Sequence, residues 1–171
     1  FNEPFGITTL AKPPQDNVNQ SQDFIVGQLG SGTALRAQWV SVGVGSTGEI
    51  AYTLNTGLVL GDTSKADGFL YDAFRFTTPL GMGFTGDGTN YLMVADASRD
   101  SVYVFTSTGL EGVRPPAGSG STKNIRVSFG GTGSGPNQFR APVAIGHSNK
   151  TMYVVDRDNG RISRFKLTTD F

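Results

Sequence analysis

The stretch APVAIGHSNKTMYVVDRDNGRISRF, residues 141–165, decides the fold of this chain. Apolar and polar side chains alternate along it as far as Asp156, a polar turn runs through Asn159 and Gly160, and the alternation then resumes up to Phe165. Alternation with a period of two is typical of half-buried β-strands, and Asn-Gly is a strong turn signal. The stretch therefore predicts antiparallel strands joined by tight turns.

A second copy of this pattern lies upstream, in PLGMGFTGDGTNYLMVADASRDSVYVF at residues 79–105. Both copies have a proline, an apolar strand with glycine, a polar turn, a strand closing on Val-x-Asp, a second turn and a strand ending in Phe. Asp96 precedes Asp156 by 60 residues, and Phe105 precedes Phe165 by the same distance. The upstream copy has three more residues before its aspartate. The chain is therefore built from repeats.

The repeat predicts an all-β fold in which small sheets are stacked. One hairpin cannot cover both faces of its own strands, whereas similar units stacked on one another can. Self-similar β units of roughly 40 to 50 residues are typical of a β-propeller. Helical periodicity is nowhere sustained, and 24 glycines suit a turn-rich β protein. We expect one propeller region over residues 1–171, with units at about 1–74, 75–129 and 130–171.

Weaker copies are predicted nearer the start of the chain. GSGTALRAQWVSVG at 30–43 resembles GSGPNQFRAPVAIG at 133–146, which predicts an innermost strand there. EIAYTLNTGLVL at 49–60 then takes the place of a strand, a turn and a strand. EPFGITTL at 3–10 predicts a further first strand, and PPQDNVNQSQ at 13–22 predicts an irregular insertion.

Residues 129–165 resemble an NHL repeat. That pattern has a glycine-rich lead-in, Gln-Phe, a proline that opens the innermost strand, Val-x-Asp, and Asn-x-Arg-Ile. The matching positions are Gly130, Gly133, Gln138, Phe139, Pro142, Val154, Asp156, Asn159, Arg161 and Ile162. The upstream copy keeps Pro79, Gly81, Val94, Asp96, Val102 and Phe105, although Arg99-Asp100-Ser101 replaces Asn-x-Arg.

The resemblance implies a β-propeller, commonly of six blades, whereas the repeats here supply about three or four. A closed propeller has at least about four blades. Either parts of the natural chain are absent from this sequence, or a partner chain covers the open edges. The residues expected to define the repeat structurally are Pro79, Asp96, Phe105, Phe139, Pro142, Asp156, Asn159, Arg161 and Phe165.

Charge content argues against some classes of function, and cysteine content excludes others. Fourteen basic and fourteen acidic residues give a net charge of zero, which offers no attraction to nucleic acids or anionic membranes. Without cysteine there are no disulfides, thiolate metal sites or cysteine nucleophiles. The chain begins with Phe1 and shows no leader and no apolar run near 20 residues, so we expect no membrane span and either a signal already removed or a trimmed chain. An extracytoplasmic location, periplasmic, secreted or at the outer surface of a bacterium, is the expectation.

Candidate metal and catalytic residues have structural interpretations that the sequence favours. His147 is the only histidine, which excludes a metal centre of several histidines within this chain, and it is predicted to lie in a turn. Residues 156–160, DRDNG, begin like a calcium loop but have Leu167 where the closing acidic residue belongs. We expect Asp156 to cap a turn instead, and the same for Asp96 and Asp100. Calcium remains a possible cofactor, and no other is predicted.

The glycine-rich and basic positions are also read as structural. GTGSG at 131–135 and GMGFTG at 81–86 lack the lysine and the helix of a phosphate loop, so both are predicted to be tight turns. Arg161 is expected to pair with an acidic group of a neighbouring unit.

Aromatic residues and long loops are the candidates for partner contact. Trp39, Phe69, Tyr71, Phe74 and Phe76 could stack a sugar or bind a partner, but alternation favours a core strand. Long irregular loops are predicted at 13–22, 61–68 and 106–124, the last being a surface excursion before a strand at 125–129. The candidate contact residues are Arg114, Pro115 and Trp39.

These observations predict a non-enzymatic, protein-binding or scaffolding propeller subunit of a larger complex, with no catalytic residues. One alternative is an enzyme of the propeller lactonase or lyase type with an axial metal ion. Another is an RNA-binding module, as some NHL propellers are, for which Arg36, Arg114, Arg126 and Arg140 are too scattered to form a basic face.

Overall fold

The computed structural model describes residues 1–9, 23–29, 36–54, 68–70, 72, 74–85 and 89–166. Within these residues, eleven strands form three antiparallel sheets, and the one helix is a single 3-10 turn at Arg157–Asn159. The predicted all-β fold is confirmed. In this described part, no helix has the length and apolar character needed to cross a membrane.

Each sheet is a meander whose strands follow one another in chain order. The first sheet contains β1 (Pro4–Thr9), β2 (Asp23–Gln28), β3 (Ala37–Val44) and β4 (Ile50–Leu54). The second contains β5 (Pro79–Phe84), β6 (Tyr91–Asp96), β7 (Ser101–Thr106) and the short β8 (Phe129–Gly130). The third contains β9 (Pro142–Ser148), β10 (Thr151–Asp156) and β11 (Arg161–Lys166).

The three sheets lie side by side at their first strands, since β5 contacts β1 on one side and β9 on the other. Glycines permit this close approach. A Cβ atom on Gly6 would lie 2.3 Å from the Leu80 carbonyl oxygen, and one on Gly81 would lie 2.7 Å from the Ala144 Cα. The sheets therefore share an inner edge and diverge from it, as successive propeller blades do. The prediction of a tight turn at 81–86 is wrong for its first residues, because Gly81 and Gly83 lie within β5.

Two apolar layers separate the sheets, and the second sheet contributes to both. Leu92 and Val94 of β6 face the first sheet, whereas Met93 and Ala95 of the same strand face the third. All four are 0 to 1% exposed. This sheet is covered on both faces, which explains why β6 reads as a continuous apolar run rather than an alternating one.

The position predicted for the strand at 30–43 within its sheet is wrong. β3 is the third strand of the first sheet, paired with β2 and β4, and not an innermost strand. The first strand of that sheet is β1, which agrees with the prediction for 3–10 and which contacts β5. A local pattern of alternating residues does not encode the position of its strand in the sheet. The insertion predicted at 13–22 lies outside the described residues.

His147 lies in a strand and not in the predicted turn. It is half-buried in β9, where it pairs in register with Met152. The turn is formed by Asn149 and Lys150, whose φ values are 47° and 55°. Two successive residues with positive φ are typical of the two-residue hairpin turn that matches the twist of the strands, so the ladder continues through Ser148.

Two predictions about solvent exposure are also corrected. Within the segment 106–124, Leu110, Glu111 and Val113 are 2 to 8% exposed, so only the part from residue 114 onward is a surface excursion. Phe76 lies in the core as expected, but Phe74 is 86% exposed. Phe74 occupies a turn and not a strand, so the period-two argument does not apply to it. Tyr71 lies outside the described residues.

The strand predicted at 125–129 is shorter than expected. Ile125 forms only an isolated bridge to Val113, and β8 begins at Phe129. β8 pairs with β7 and so completes the outer edge of the second sheet. The chain therefore leaves the second sheet at β7, forms the excursion, and returns to the same sheet before it starts the third.

Candidate functional site

In each sheet, the last residue of the second strand is polar. Its side chain accepts a hydrogen bond from the backbone just before the first strand of the same sheet. The Asn2 N–H donates to Gln28 Oε1 at 2.7 Å in the first sheet. The Thr77 N–H donates to Asp96 Oδ2 at 2.6 Å in the second, and the Arg140 N–H donates to Asp156 Oδ1 at 2.7 Å in the third. In all three, the donor precedes by two residues the proline that opens the sheet, namely Pro4, Pro79 and Pro142.

Sequence comparison of the repeats identified the aspartates but missed Gln28. Gln28 lies opposite Pro4 in register, as Asp96 lies opposite Pro79 and Asp156 opposite Pro142. An amide oxygen accepts the same hydrogen bond as a carboxylate. What recurs at this position in the three sheets is therefore a hydrogen-bond acceptor and not an acidic side chain. A polar residue opposite the opening proline was the signal that could have found it.

Asp96 holds both its own turn and the preceding segment. Besides Thr77, its Oδ1 accepts hydrogen bonds from the N–H groups of Thr78, Ser98 and Arg99, at 3.0 to 3.2 Å. The side chain is 0% exposed. Phe105 and Phe139, also expected to define the repeat, are 0% exposed in the two apolar layers.

Asp156 is also fully buried but caps no N–H group of its own turn. It accepts hydrogen bonds from Asn159 Nδ2 at 2.8 Å and Arg161 Nε at 2.9 Å, in addition to Arg140. Arg161 therefore pairs within its own unit and not with a neighbouring one, because β10 and β11 place it directly opposite Asp156. Its guanidinium also donates to the carbonyls of residues 134, 135 and 138, so it fixes the glycine-rich lead-in.

The ionisation of Asp156 should make the free energy of unfolding of the protein depend on pH in the acidic range. Burial raises the pKa of this carboxyl, but hydrogen bonds from Arg140, Asn159 and Arg161 outweigh it and leave the pKa below its ordinary value of 3.8. A carboxyl whose pKa is lower in the folded than in the unfolded state stabilises the fold at pH values above its unfolded-state pKa. This stabilisation is lost as the pH falls through the folded-state pKa. We expect urea midpoints to fall from pH 4 downward, and to fall less steeply in Asp156→Asn.

A variant at the exposed neighbour gives the control for this pH effect. Asp158 binds only Arg157 at the surface, and its side chain is 50% exposed. The Arg157 hydrogen bond lowers the pKa of Asp158 too, but solvent screens this exposed pair, so Asp158→Asn should keep most of the acid dependence of the parent protein. Equal slopes for Asp156→Asn and the parent below pH 4 would contradict the assignment.

The carboxylates considered for calcium are used by protein donors. Asp100, with a φ of 49°, accepts hydrogen bonds from the Ala141 N–H at 2.8 Å and from Thr132 Oγ1 at 2.6 Å. It thereby links the second sheet to the start of the third. In the described ranges, no group of three or more His, Asp or Glu side chains is placed to hold a metal ion.

An apolar groove of about 560 Å³ lies between the second and third sheets. Met93 and Val104 of the second sheet and Met152 of the third form its floor, and Phe129 and Phe165 close one side with ring centroids 4.9 Å apart. The remaining lining residues are Tyr91, Val113, Arg114, Pro115, Pro116, Ala117, Val127, Asn137 and Lys166. The groove thus combines two sheets with the excursion that leaves β7.

The rim of the groove carries positive charge. Arg114 and Lys166 are exposed lining residues, and among the described residues no acidic side chain lines the groove. Two of the three predicted contact residues, Arg114 and Pro115, are therefore at this site. Trp39 is not, because it is 9% exposed in the layer between the first and second sheets, where its indole N–H donates to Asp23 at 3.0 Å.

A buried carboxylate that sequence reasoning missed holds the wall of the groove. Glu111 forms ion pairs with Arg75 and Arg126, and the Ser128 hydroxyl donates to its Oε1 at 2.5 Å. The Glu111 carbonyl accepts a hydrogen bond from Asn124 Nδ2 at 3.4 Å. These contacts join both ends of the excursion, so residues 113–117 are fixed over the groove. The flanking apolar residues at 110 and 113 were the available signal.

The lining residues have the chemistry of a binding site. Among the residues that the structure describes, they include no histidine, carboxylate or serine, and the titratable side chains of the lining are those of Tyr91, Arg114 and Lys166. The Tyr91 hydroxyl is occupied by the Arg114 N–H at 3.3 Å. What the groove can do is bury an apolar group beside an anion.

No protein-family model matches the chain, and no curated protein sequence matches it. The NHL resemblance therefore stays a prediction. Among solved structures, a streptogramin B lyase is similar to 98% of this chain, with 13% sequence identity and a TM-score of 0.35. The chain spans 55% of the length of that lyase chain. Similarity at this level supports no conclusion about activity or substrate.

Proposed function

We propose that the chain is a non-enzymatic, protein-binding β-propeller module. Its site is the groove between the second and third sheets, and its ligand is an extended segment of a partner protein that places an apolar side chain beside a carboxylate. The observation that carries this proposal is the combination of an apolar floor and a cationic rim, with no acidic residue among the lining residues that the structure describes. An extracytoplasmic location remains part of the proposal.

The floor suits an apolar side chain. A volume of about 560 Å³ falls within the range of ligand pockets and exceeds what one aliphatic side chain fills. Met93 and Met152 are 0% exposed, so the apolar surface open to a ligand comes from half-buried lining residues such as Val127. Phe129 and Phe165 add aromatic surface, which is enriched where proteins bind one another.

The rim selects an anion next to that apolar group. Arg114 and Lys166 attract a carboxylate, and within the described part of the chain no lining carboxylate competes for them. Charges at the rim of an interface act mainly on the association rate and on specificity, because solvent still screens them. The apolar contact therefore supplies most of the affinity, and the two cations select acidic segments.

The wall of the groove is held in place before binding. Pro115 and Pro116 have fixed φ angles, and the Glu111 contacts hold both ends of the excursion. A wall that is already ordered loses little conformational entropy when a ligand binds. This arrangement supports recognition of a partner by a rigid surface.

The arginines considered for RNA binding support the protein-binding proposal instead. Arg36 donates to the Thr77 carbonyl at 2.8 Å, and Arg126 pairs with Glu111. Both side chains therefore have partners within the fold, and only Arg114 of the four lines the groove.

Selection from a random peptide library tests the proposal. We expect the immobilised chain to enrich peptides with an apolar residue next to Asp or Glu. Arg114→Glu should weaken the selected peptide about tenfold, since about 1.4 kcal/mol corresponds to that factor. Val127→Asp, which puts a charge on the apolar lining, should weaken it further.

Arg157→Glu is the matched control for this test. It makes the same charge change at the opposite end of the third sheet, where the Arg157 side chain is 58% exposed, and should leave the affinity unchanged. Enrichment of peptides without acidic residues, or equal affinity of Arg114→Glu and the parent protein, would sink the proposal.

A further inference from the structure

We propose that Asn159 is a covalent modification site, at which spontaneous deamidation replaces the side-chain amide by a carboxylate. The reaction consumes only water, and the folded chain suppresses it as long as the turn between β10 and β11 stays closed. Each opening of that turn exposes the site, and the product prevents the turn from closing in the same way. This inference is independent of the groove.

The sequence provides the reacting pair. Asn159 is followed by Gly160, and this is the one Asn-Gly pair in the chain. In deamidation, the backbone nitrogen of the following residue attacks the side-chain Cγ of asparagine and gives up its proton. The bond from Cγ to Nδ2 breaks, and ammonia leaves with that proton. Water then opens the resulting succinimide ring to aspartate or isoaspartate. Glycine has no Cβ that hinders the attack, so the Gly160 nitrogen is well suited to it.

The folded chain engages both reacting groups. Asn159 Nδ2 donates to Asp156 Oδ2 and to the Gly133 carbonyl, each at 2.8 Å, so both amide hydrogens are used. The Gly160 N–H donates to the Arg157 carbonyl at 3.0 Å. While these bonds persist, the attacking nitrogen keeps its proton and the amide that must leave is held in place.

Solvent reaches the site when these bonds open. Asn159 is half-buried, and Gly160 is exposed. The turn that contains Asn159 is a single 3-10 turn without a buried residue, so its opening exposes no apolar core. Local opening of this kind costs less free energy than unfolding of the whole chain. The rate of deamidation should therefore follow the population of the opened turn.

The product does not fit the place of the amide. A carboxylate accepts hydrogen bonds and donates none, whereas both partners of Asn159 Nδ2 are acceptors. The new charge would also lie beside the buried Asp156 carboxylate, and two like charges at such a distance repel each other. Deamidation therefore breaks the contact of the turn with Asp156 and its contact with Gly133 of the glycine-rich lead-in together.

Peptide mapping by mass spectrometry measures the conversion. The 171-residue chain is incubated in mildly alkaline buffer, with and without guanidinium chloride, and the converted fraction is followed at every asparagine. In guanidinium chloride, we expect Asn159 to convert fastest. In the folded chain, its conversion should be at least about tenfold slower, since an opening free energy of about 1.4 kcal/mol already gives that factor.

Asn149 is the internal control for the effect of the fold. Its side chain is exposed at the hairpin turn between β9 and β10, and Lys150 follows it. Guanidinium chloride should therefore change the conversion rate of Asn149 much less than that of Asn159.

The effect of the product is measured on a variant. Asn159→Asp should shift the urea midpoint to lower concentration, whereas Asn149→Asp makes the same change on an exposed side chain and should leave it unchanged. If Asn159→Asp does not fold, the parent protein converted in guanidinium chloride replaces it. After dilution, the fraction that regains the native circular dichroism signal should fall as the converted fraction rises.

Three results would overturn this inference. The first is faster conversion of another asparagine in the unfolded chain, and the second is an equal rate at Asn159 with and without guanidinium chloride. The third is an unchanged urea midpoint of Asn159→Asp, or full refolding of the converted parent protein. None of these results bears on the groove, which Asn159 does not line.

Discussion

Replacing Asp96 by alanine should lower the free energy of unfolding by about 3 to 5 kcal/mol, a large part of the stability of a domain. Its carboxylate is fully buried and accepts hydrogen bonds from four backbone N–H groups, those of Thr77, Thr78, Ser98 and Arg99. Alanine leaves all four donors without this acceptor, and each buried donor left unsatisfied costs about 1 to 3 kcal/mol where water cannot replace the partner.

Urea unfolding of a graded series measures this effect. Asp96→Asn keeps one carbonyl oxygen and should lose less stability than Asp96→Ala, since half of the acceptor remains. Asp158→Ala is the matched control, because its side chain is 50% exposed and binds only Arg157. It should change the free energy of unfolding by less than about 0.5 kcal/mol. Similar losses for Asp96→Ala and Asp158→Ala would show that the buried hydrogen bonds do not hold the second sheet.

The same contact explains why the sequence predicted the second and third sheets so well. The opening proline, the closing aspartate and the strand ends recur at fixed spacing, because the aspartate must reach the backbone two residues before the proline. Asp96 and Asp156 are therefore visible as a repeat in the sequence. The alternation of the intervening strands follows from the two faces of each sheet, which a period of two encodes locally.

The first sheet was predicted less well for a physical reason. Gln28 performs the acceptor role there, so a search for aspartate does not find it. The match between 30–43 and 133–146 placed β3 at the inner edge, although it lies third in its sheet. Strands at different positions in a meander have the same alternation, and only pairing distinguishes them.

The groove could be predicted only in part. Arg114 and Pro115, which line the groove, were predicted as partner contacts because a long irregular segment on a rigid scaffold often binds ligands. The floor was not predicted, since Met93 and Met152 come from different sheets, 59 residues apart, and meet only when these sheets stack. Glu111 was missed because it lies in a segment whose composition is typical of a surface loop. Long-range packing of this kind has no local pattern in a sequence.

Replacing Gly81 by alanine should destabilise the chain by about 2 to 3 kcal/mol, the usual cost of overpacking at a site that cannot move freely. The added Cβ would lie 2.7 Å from the Ala144 Cα and 2.9 Å from the Ala144 nitrogen. Both atoms are backbone, so no side-chain rotation can relieve the clash. The inner strands β5 and β9 would have to move apart, which would loosen the apolar layer between the second and third sheets.

Gly43→Ala is the matched control, because Gly43 also lies inside a strand and an added Cβ there meets nothing within 4 Å. We expect it to change the free energy of unfolding by less than about 0.5 kcal/mol or to stabilise slightly, since alanine restricts the unfolded chain. The double variant Gly81→Ala with Ala144→Gly separates two causes. If the Ala144 backbone sets the strand spacing, removing the Ala144 side chain restores no stability in urea unfolding. Full recovery would mean that side-chain crowding, and not the approach of the two backbones, requires glycine at position 81.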